Sequence, residues 1–206
     1  MNAAKISATE DVDQAVLTEL ESLIAIDLPV KLDECRTFLR SAEPPSWISF
    51  IAQSDWWVKG LAAYAALYLA EIVKEAAKDT WKNKGKAETA VIGTSNKLWR
   101  FASSLFQAKL KSRANTYITI GLPIPDDTYT TLLRSQSTDA DDLAVEVALF
   151  VLHVPALVQL LNHARIPEGS ALGWVSAELL PNGSLQVKWM DKETLEVRLH
   201  VLPFQP

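Results

Sequence analysis

Two hydrophobic periods alternate along the chain. At 22–30 and 116–124 apolar residues fall on every second position (Ile24, Ile26, Leu28; Ile118, Ile120, Leu122), the spacing of a strand with one buried face. Pro29 and Pro123 lack the N–H that a ladder requires and end each strand. Asp33, and Asp126 or Asp127, then stand where a carboxylate accepts from the free N–H groups of a short helix, which the spacing carries to about Arg40 and Arg134. Residues 24–41 and 118–135 are identical at nine of eighteen positions without a gap, at an offset of 94. The match predicts two related strand–turn–helix units, 22–41 and 116–135, made by duplication or by reaching one supersecondary solution twice.

Helical periodicity fills most of the remainder. Pro44 and Pro45 interrupt the chain, and helix resumes over Trp47–Gln53. Ser54 and Asp55 can cap a longer helix that runs through Trp81, where Ala62, Ala63, Ala65, Ala66 and Ala70 raise helix propensity and thin the sides. The stretch 83–94, with Gly85 and Gly93, reads as a basic loop. Helix 95–112 is two-faced: Lys97, Arg100, Ser104, Gln107 and Lys111 share one arc, and Leu98, Trp99, Phe101, Ala102, Leu105, Phe106 and Leu110 share the other, with Lys109 inside the apolar arc. Asp139, Asp141 and Asp142 begin a helix that reaches about Asn162 and is apolar nearly all round, which Pro155 should kink or split.

The period returns to two at the C-terminus. Trp174–Leu180 and Ser184–Met190 flank Pro181-Asn182-Gly183, a turn sequence that tolerates positive φ. After a second turn at 191–194, Leu195, Val197, Leu199 and Val201 alternate with Glu196, Arg198 and His200. Three antiparallel strands with one wet face are expected. Together these elements predict an α+β fold: a mixed five-stranded sheet, two strands from the related units and three from the C-terminal meander, packed by long helices. The organisation expected is one domain over 1–206, with a helical, Trp- and Lys-rich insertion at about 44–113.

Composition adds exclusions. Hydrophobic residues make up 49% and charged residues 22% of 206, near globular averages, which removes collagen-like and disordered readings. The single cysteine, Cys35, excludes an internal disulfide and a cysteine-rich zinc site. Residues 60–70 are too short for a membrane span of ~20 residues, and 143–161 is interrupted by Glu146, His153, Pro155 and Gln159. With no basic-then-apolar leader at Met1–Lys5, a cytoplasmic location is the expectation.

Charge is divided unevenly. Residues 74–113 hold ten Lys/Arg and three acids, a net +7, within a chain of −5; the other residues therefore carry −12. Such a split marks a surface for an acidic partner, or two parts of one fold that attract each other. Trp47, Trp56, Trp57, Trp81 and Trp99 overlap this segment, a mixture that suits a bilayer interface or stacked bases as well as a core.

Catalytic signatures are missing: there is no Gly-rich phosphate loop, nucleophile elbow or His-Glu-x-x-His. Glu146 and His153, two turns apart on one helix, are an acid/base or metal-ligating candidate, weighed against a satisfied polar seam. Asp126, Asp127, Asp139, Asp141 and Asp142 could gather hard oxygen ligands for Mg²⁺, although helix starts favour Asp for capping alone. Cys35 without a positioned histidine reads as a small apolar residue. The leading expectation is a non-catalytic interaction module with no cofactor. It would take an acidic protein partner on Lys82, Lys84, Lys86, Lys97, Arg100 and Lys111. Alternatives are a membrane-active protein whose segment 54–113 enters anionic bilayers, and a small hydrolase or nuclease; nucleic acid ranks below protein as the partner.

Overall fold

A computed structural model describes residues 4–9, 11–27, 30–32, 46–52, 61–63, 65, 66, 68, 69, 95–112, 116–123, 130–164, 166 and 175–204. These form an α+β fold built on one open mixed sheet. In chain order the elements are β1 (Ala4–Ala8), α1 (Gln14–Ala25), β2 (Val30–Leu32), β3 (Trp47–Ile51), α2 (Ser95–Lys111), β4 (Tyr117–Pro123), β5 (Thr130–Arg134), α3 (Ala140–Leu152), α4 (Val154–Asn162), β6 (Val175–Leu179), β7 (Leu185–Met190) and β8 (Val197–Leu202). Residues 61–69, where described, are also helical. The eight strands stand in the order β2-β1-β3-β4-β5-β6-β7-β8. β1–β2, β3–β4 and β5–β6 are parallel, and the remaining neighbours are antiparallel.

Register aligns the apolar positions into rows across the sheet. Ile6, Phe50, Ile120, Leu133, Ala177 and Val187 are successive cross-strand partners, and all six are buried. Helices cover this face in one layer, with α2 packed between α1 and α3. Leu17, Leu20 and Ile24 of α1, Leu98, Phe101 and Leu105 of α2, and Leu143, Val147 and Phe150 of α3 join the same core. The Phe101 ring meets Phe50 edge-on, centroids 4.8 Å apart, a favoured aromatic geometry. Across the opposite face run Lys5, Ile51, Gly121, Leu132, Ser176 and Lys188. Gly121 permits close packing there, since a Cβ would lie 2.9 Å from Thr130 Cγ2 and 3.2 Å from Ile51 Cγ1.

Several sequence expectations are corrected. Among the described residues the sheet has eight strands instead of five. Residues 14–25 are helical, so 22–25 belong to α1, and among the described residues of the first unit only Val30–Leu32 is strand. The period-two triad Ile24-Ile26-Leu28 competes with Leu17, Leu20 and Ile24 at helical spacing, and burial of those three decides for helix. Trp47–Ile51 is strand β3 and not helix, because its apolar side chains are needed in the row between β1 and β4. The helix expected to end at Arg134 is replaced by strand β5. Where both matching segments are described they differ: 24 and 25 are helical and 118 and 119 are strand, and Thr130–Arg134 of the second unit is strand where a helix was expected. Asp33, Cys35, Arg40, Pro44 and Pro45 lie outside the described residues.

Other expectations hold. Ser95–Lys111 is one helix, the C-terminal strands fall where the meander places them, and the apolar helix divides at His153 into α3 and α4, bent by 48°. Pro155 occupies the first turn of α4, where a missing N–H costs nothing. Among the described residues no single helix is long and apolar enough to cross a membrane. The bent pair α3–α4 passes by length and composition only, and its residues Leu143, Val147, Phe150 and Leu157 lie in the core.

One departure concerns the wet face of the meander. β8 places His200 opposite Val187 and Arg198 opposite Trp189, on the helix-covered side, while Val197, Leu199 and Val201 face the other way and are exposed. The turn before it is tightly held. Asp191 accepts from the Glu193 and Thr194 N–H groups at 3.0 and 3.1 Å, and these bonds, with Arg198 beside them, hold its carboxyl below the usual range. Leu195 follows in the left-handed region at φ 56°, a bulge position that glycine usually fills.

Thr131 generates a test of the core. Its side chain stands in the buried row between Leu122 and Val175, and its hydroxyl has no hydrogen-bond partner among the described residues. Thr131→Val keeps the shape and removes that unpaired group, so a gain of ~1 kcal/mol in urea unfolding is expected.

Candidate interaction surface

The charge split seen in the sequence is partly closed inside the fold. α1 presents Glu19 and, two residues past its end, Asp27; the polar arc of α2 faces both. Arg100 Nη2 lies 3.2 Å and Lys97 Nζ 3.8 Å from Asp27 Oδ1. Lys111 Nζ is 2.6 Å from both carboxylate oxygens of Glu19. The Arg100, Lys111 and Glu19 side chains remain about half exposed, whereas Asp27 is mostly covered. Three of the six expected partner-binding residues are thus gathered on one helix and engaged with α1. Lys82, Lys84 and Lys86 lie outside the described residues.

The apolar arc of α2 is not wholly sequestered. Leu98, Phe101, Ala102, Leu105 and Phe106 are buried, but Leu110 and part of Trp99 reach solvent. The Trp99 indole donates from Nε1 to Asp141 Oδ1 at 2.6 Å. Lys109, the cation inside that arc, holds its ammonium over the Phe106 ring, 5.4 Å from the centroid, and donates to the Ser137 carbonyl at 3.1 Å.

The acidic candidates are engaged in helix and loop architecture. Asp139 caps α3 by accepting from the Asp142 N–H at 2.7 Å, and Asp142 accepts from Thr138 Oγ1 at 3.3 Å. Asp126 and Asp127 lie outside the described residues. Among the described residues no three His, Cys, Asp or Glu side chains gather as metal ligands. Close to this helix start, Tyr68 has its phenol pushed up to about 12 by burial first and then by Asp141 and Asp139.

Glu146 and His153 are separated by their partners. Glu146 accepts from Ser135 Oγ and Ser137 Oγ at 2.5 Å each and from the Gln136 N–H at 3.1 Å, clamping the turn that leads into α3. His153 Nε2 lies 2.9 Å from the Gly183 carbonyl oxygen, an atom that only accepts, so Nε2 carries the proton. Its ring also meets Phe204 edge-on. One helix therefore ties two different turns, and the structure does not couple the two groups as an acid and a base.

Position at the sheet boundary is what sequence periodicity missed. Val197, Leu199 and Val201 alternate like core residues, and only the topology shows that their side faces solvent. Comparison with known proteins found no matching family model, no matching curated protein and no matching solved structure.

Two measurements test these assignments. Glu146→Ala strands two buried hydroxyls and should cost ~1–3 kcal/mol in urea unfolding, with Glu146→Gln losing less because its amide oxygen still accepts. A phenol whose folded pKa lies above its unfolded value adds stability that is complete below pH 10.0 and lost as pH rises towards about 12. Unfolding midpoints should therefore fall across that window, and the fall should be smaller in Tyr68→Phe.

Proposed function

We propose that this chain is a non-catalytic, cytoplasmic protein-interaction module that takes an acidic partner on the basic surface of 74–113. The observation that supports this reading is the half-exposed pairing of Arg100 and Lys111 with α1 carboxylates. Exposed ion pairs contribute only ~0–1 kcal/mol, so an incoming carboxylate replaces half-exposed Glu19 at Lys111 at small cost. Trp99 and Leu110, exposed on the same helix, add apolar contact beside the charges, and Lys82, Lys84 and Lys86 are the further cations of the sequence assigned to this role. Exchange of partners is the mechanism: the acids of α1 hold the cations in place until stronger, multivalent acids arrive.

Retention on immobilised poly-glutamate measures this directly. The protein should be held at low salt and released as salt rises; Lys82→Glu, Lys84→Glu and Lys86→Glu combined should elute earlier, as should Arg100→Glu with Lys111→Glu. Elution of both variants with the parent protein would remove the basic surface from the account. Flotation with phosphatidylglycerol vesicles, without retention on the acidic polymer, would favour the membrane-active alternative.

A further inference from the structure

β8 has its polarity inverted with respect to the sheet it closes. Along the wet face, Ser176 of β6 and Lys188 of β7 are followed by Leu199 of β8; along the covered face, Ala177 and Val187 are followed by His200. Val197, Leu199 and Val201 are 68%, 55% and 41% exposed, and Leu195, strained at φ 56°, is 66% exposed. Residues of this kind on a wet face lose free energy to water unless something covers them.

The backbone carries the same sign. The Asp191 N–H donates to the Glu196 carbonyl at 2.9 Å, which turns Glu196 toward β7. By the alternation of an antiparallel ladder, Arg198, His200 and Leu202 then direct their N–H and C=O groups to β7. Val197, Leu199 and Val201 direct theirs to the outer edge, where β8 ends the described sheet. Natural edges are usually blunted by charged side chains or proline within the strand; Val197–Leu202 has no lysine or proline, and its one permanent charge, Arg198, is drawn back to Asp191 and Glu196 of the preceding turn.

We propose that β8 pairs antiparallel with β8 of a second copy of this chain, on a two-fold axis at Leu199. The stripe Val197-Leu199-Val201 reads the same in both directions about Leu199, so this register sets Leu199 against itself and each valine against the other valine. The three residues with apolar side chains are also the three with outward N–H and C=O groups, so every pair is a hydrogen-bonded pair. On the other side Arg198 meets His200 of the copy, with no like carboxylates opposed. Leu195 before the strand and Pro203 after it limit the ladder to this short length, and so short a contact predicts a weak, concentration-dependent dimer rather than a permanent one.

Sedimentation equilibrium of the full chain, from low-micromolar to submillimolar concentration, should show a monomer–dimer equilibrium. Leu199→Lys, a change on an exposed side chain, should weaken it at least ~tenfold while circular dichroism stays unchanged. In a Cys35→Ser background, Leu199→Cys should crosslink to itself on mild oxidation, because facing residues of a hydrogen-bonded pair lie ~5.5 Å apart at Cα, within disulfide reach; Leu152→Cys, exposed on α3, should not. A monomer at every concentration, a dimer that Leu199→Lys leaves intact, or crosslinking at position 199 no faster than at 152 overturns the proposal. The first result would also admit a foreign peptide strand as the occupant of this edge.

Discussion

Dehydration of one sheet face is the constraint on which the other elements depend. Ile6, Phe50, Ile120, Leu133, Ala177 and Val187 form an unbroken buried row over six strands. Rows of this kind are stable only under a continuous apolar cover, which explains why α1, α2 and α3 lie side by side over it. Charge follows packing. Once α2 is seated next to α1, its cations fall opposite Glu19 and Asp27, and the ion pairs adjust an arrangement that burial has already determined.

The buried row stops at β8, and that termination gives the surface its character. His200 takes the place where the next apolar residue would stand; Leu202 alone stays buried on the covered side, and Val197, Leu199 and Val201 face the side that carries Ser176, Gln186 and Lys188. An edge of this type is complete only with another layer or another strand. The basic arc of α2 differs in being already neutralised by weak local pairs. The two regions therefore suit different partners: one offers hydrogen bonds and apolar contact to a matching strand, the other offers exchangeable charge to an acidic surface.

Legibility in the sequence followed the strength of local signals. The meander was readable because Asn182-Gly183 fixes a turn between strictly alternating strands, and α2 because seventeen residues sustain one period. α3 and α4 were readable from Asp139 and Pro155. Short elements were not. Ala4–Ala8 has few large side chains to announce β1, and Trp47–Ile51 shows strand character only when β1 and β4 flank it. At Ile24 two periods overlapped within one window, and long-range burial chose between them. Of the candidate site, the cations on α2 were visible as an arc, but their pairing with α1 required the tertiary fold, and the direction faced by β8 required its place at the sheet boundary.

Residue-resolved amide exchange along β8, at low and high protein concentration, tests the central claim that this strand is an unfinished edge. The account predicts that Arg198, His200 and Leu202 are protected at both concentrations, while Val197, Leu199 and Val201 exchange quickly in dilute solution and become protected as concentration rises. Equal protection of all six amides in dilute solution, or equal lack of it at any concentration, would contradict the account.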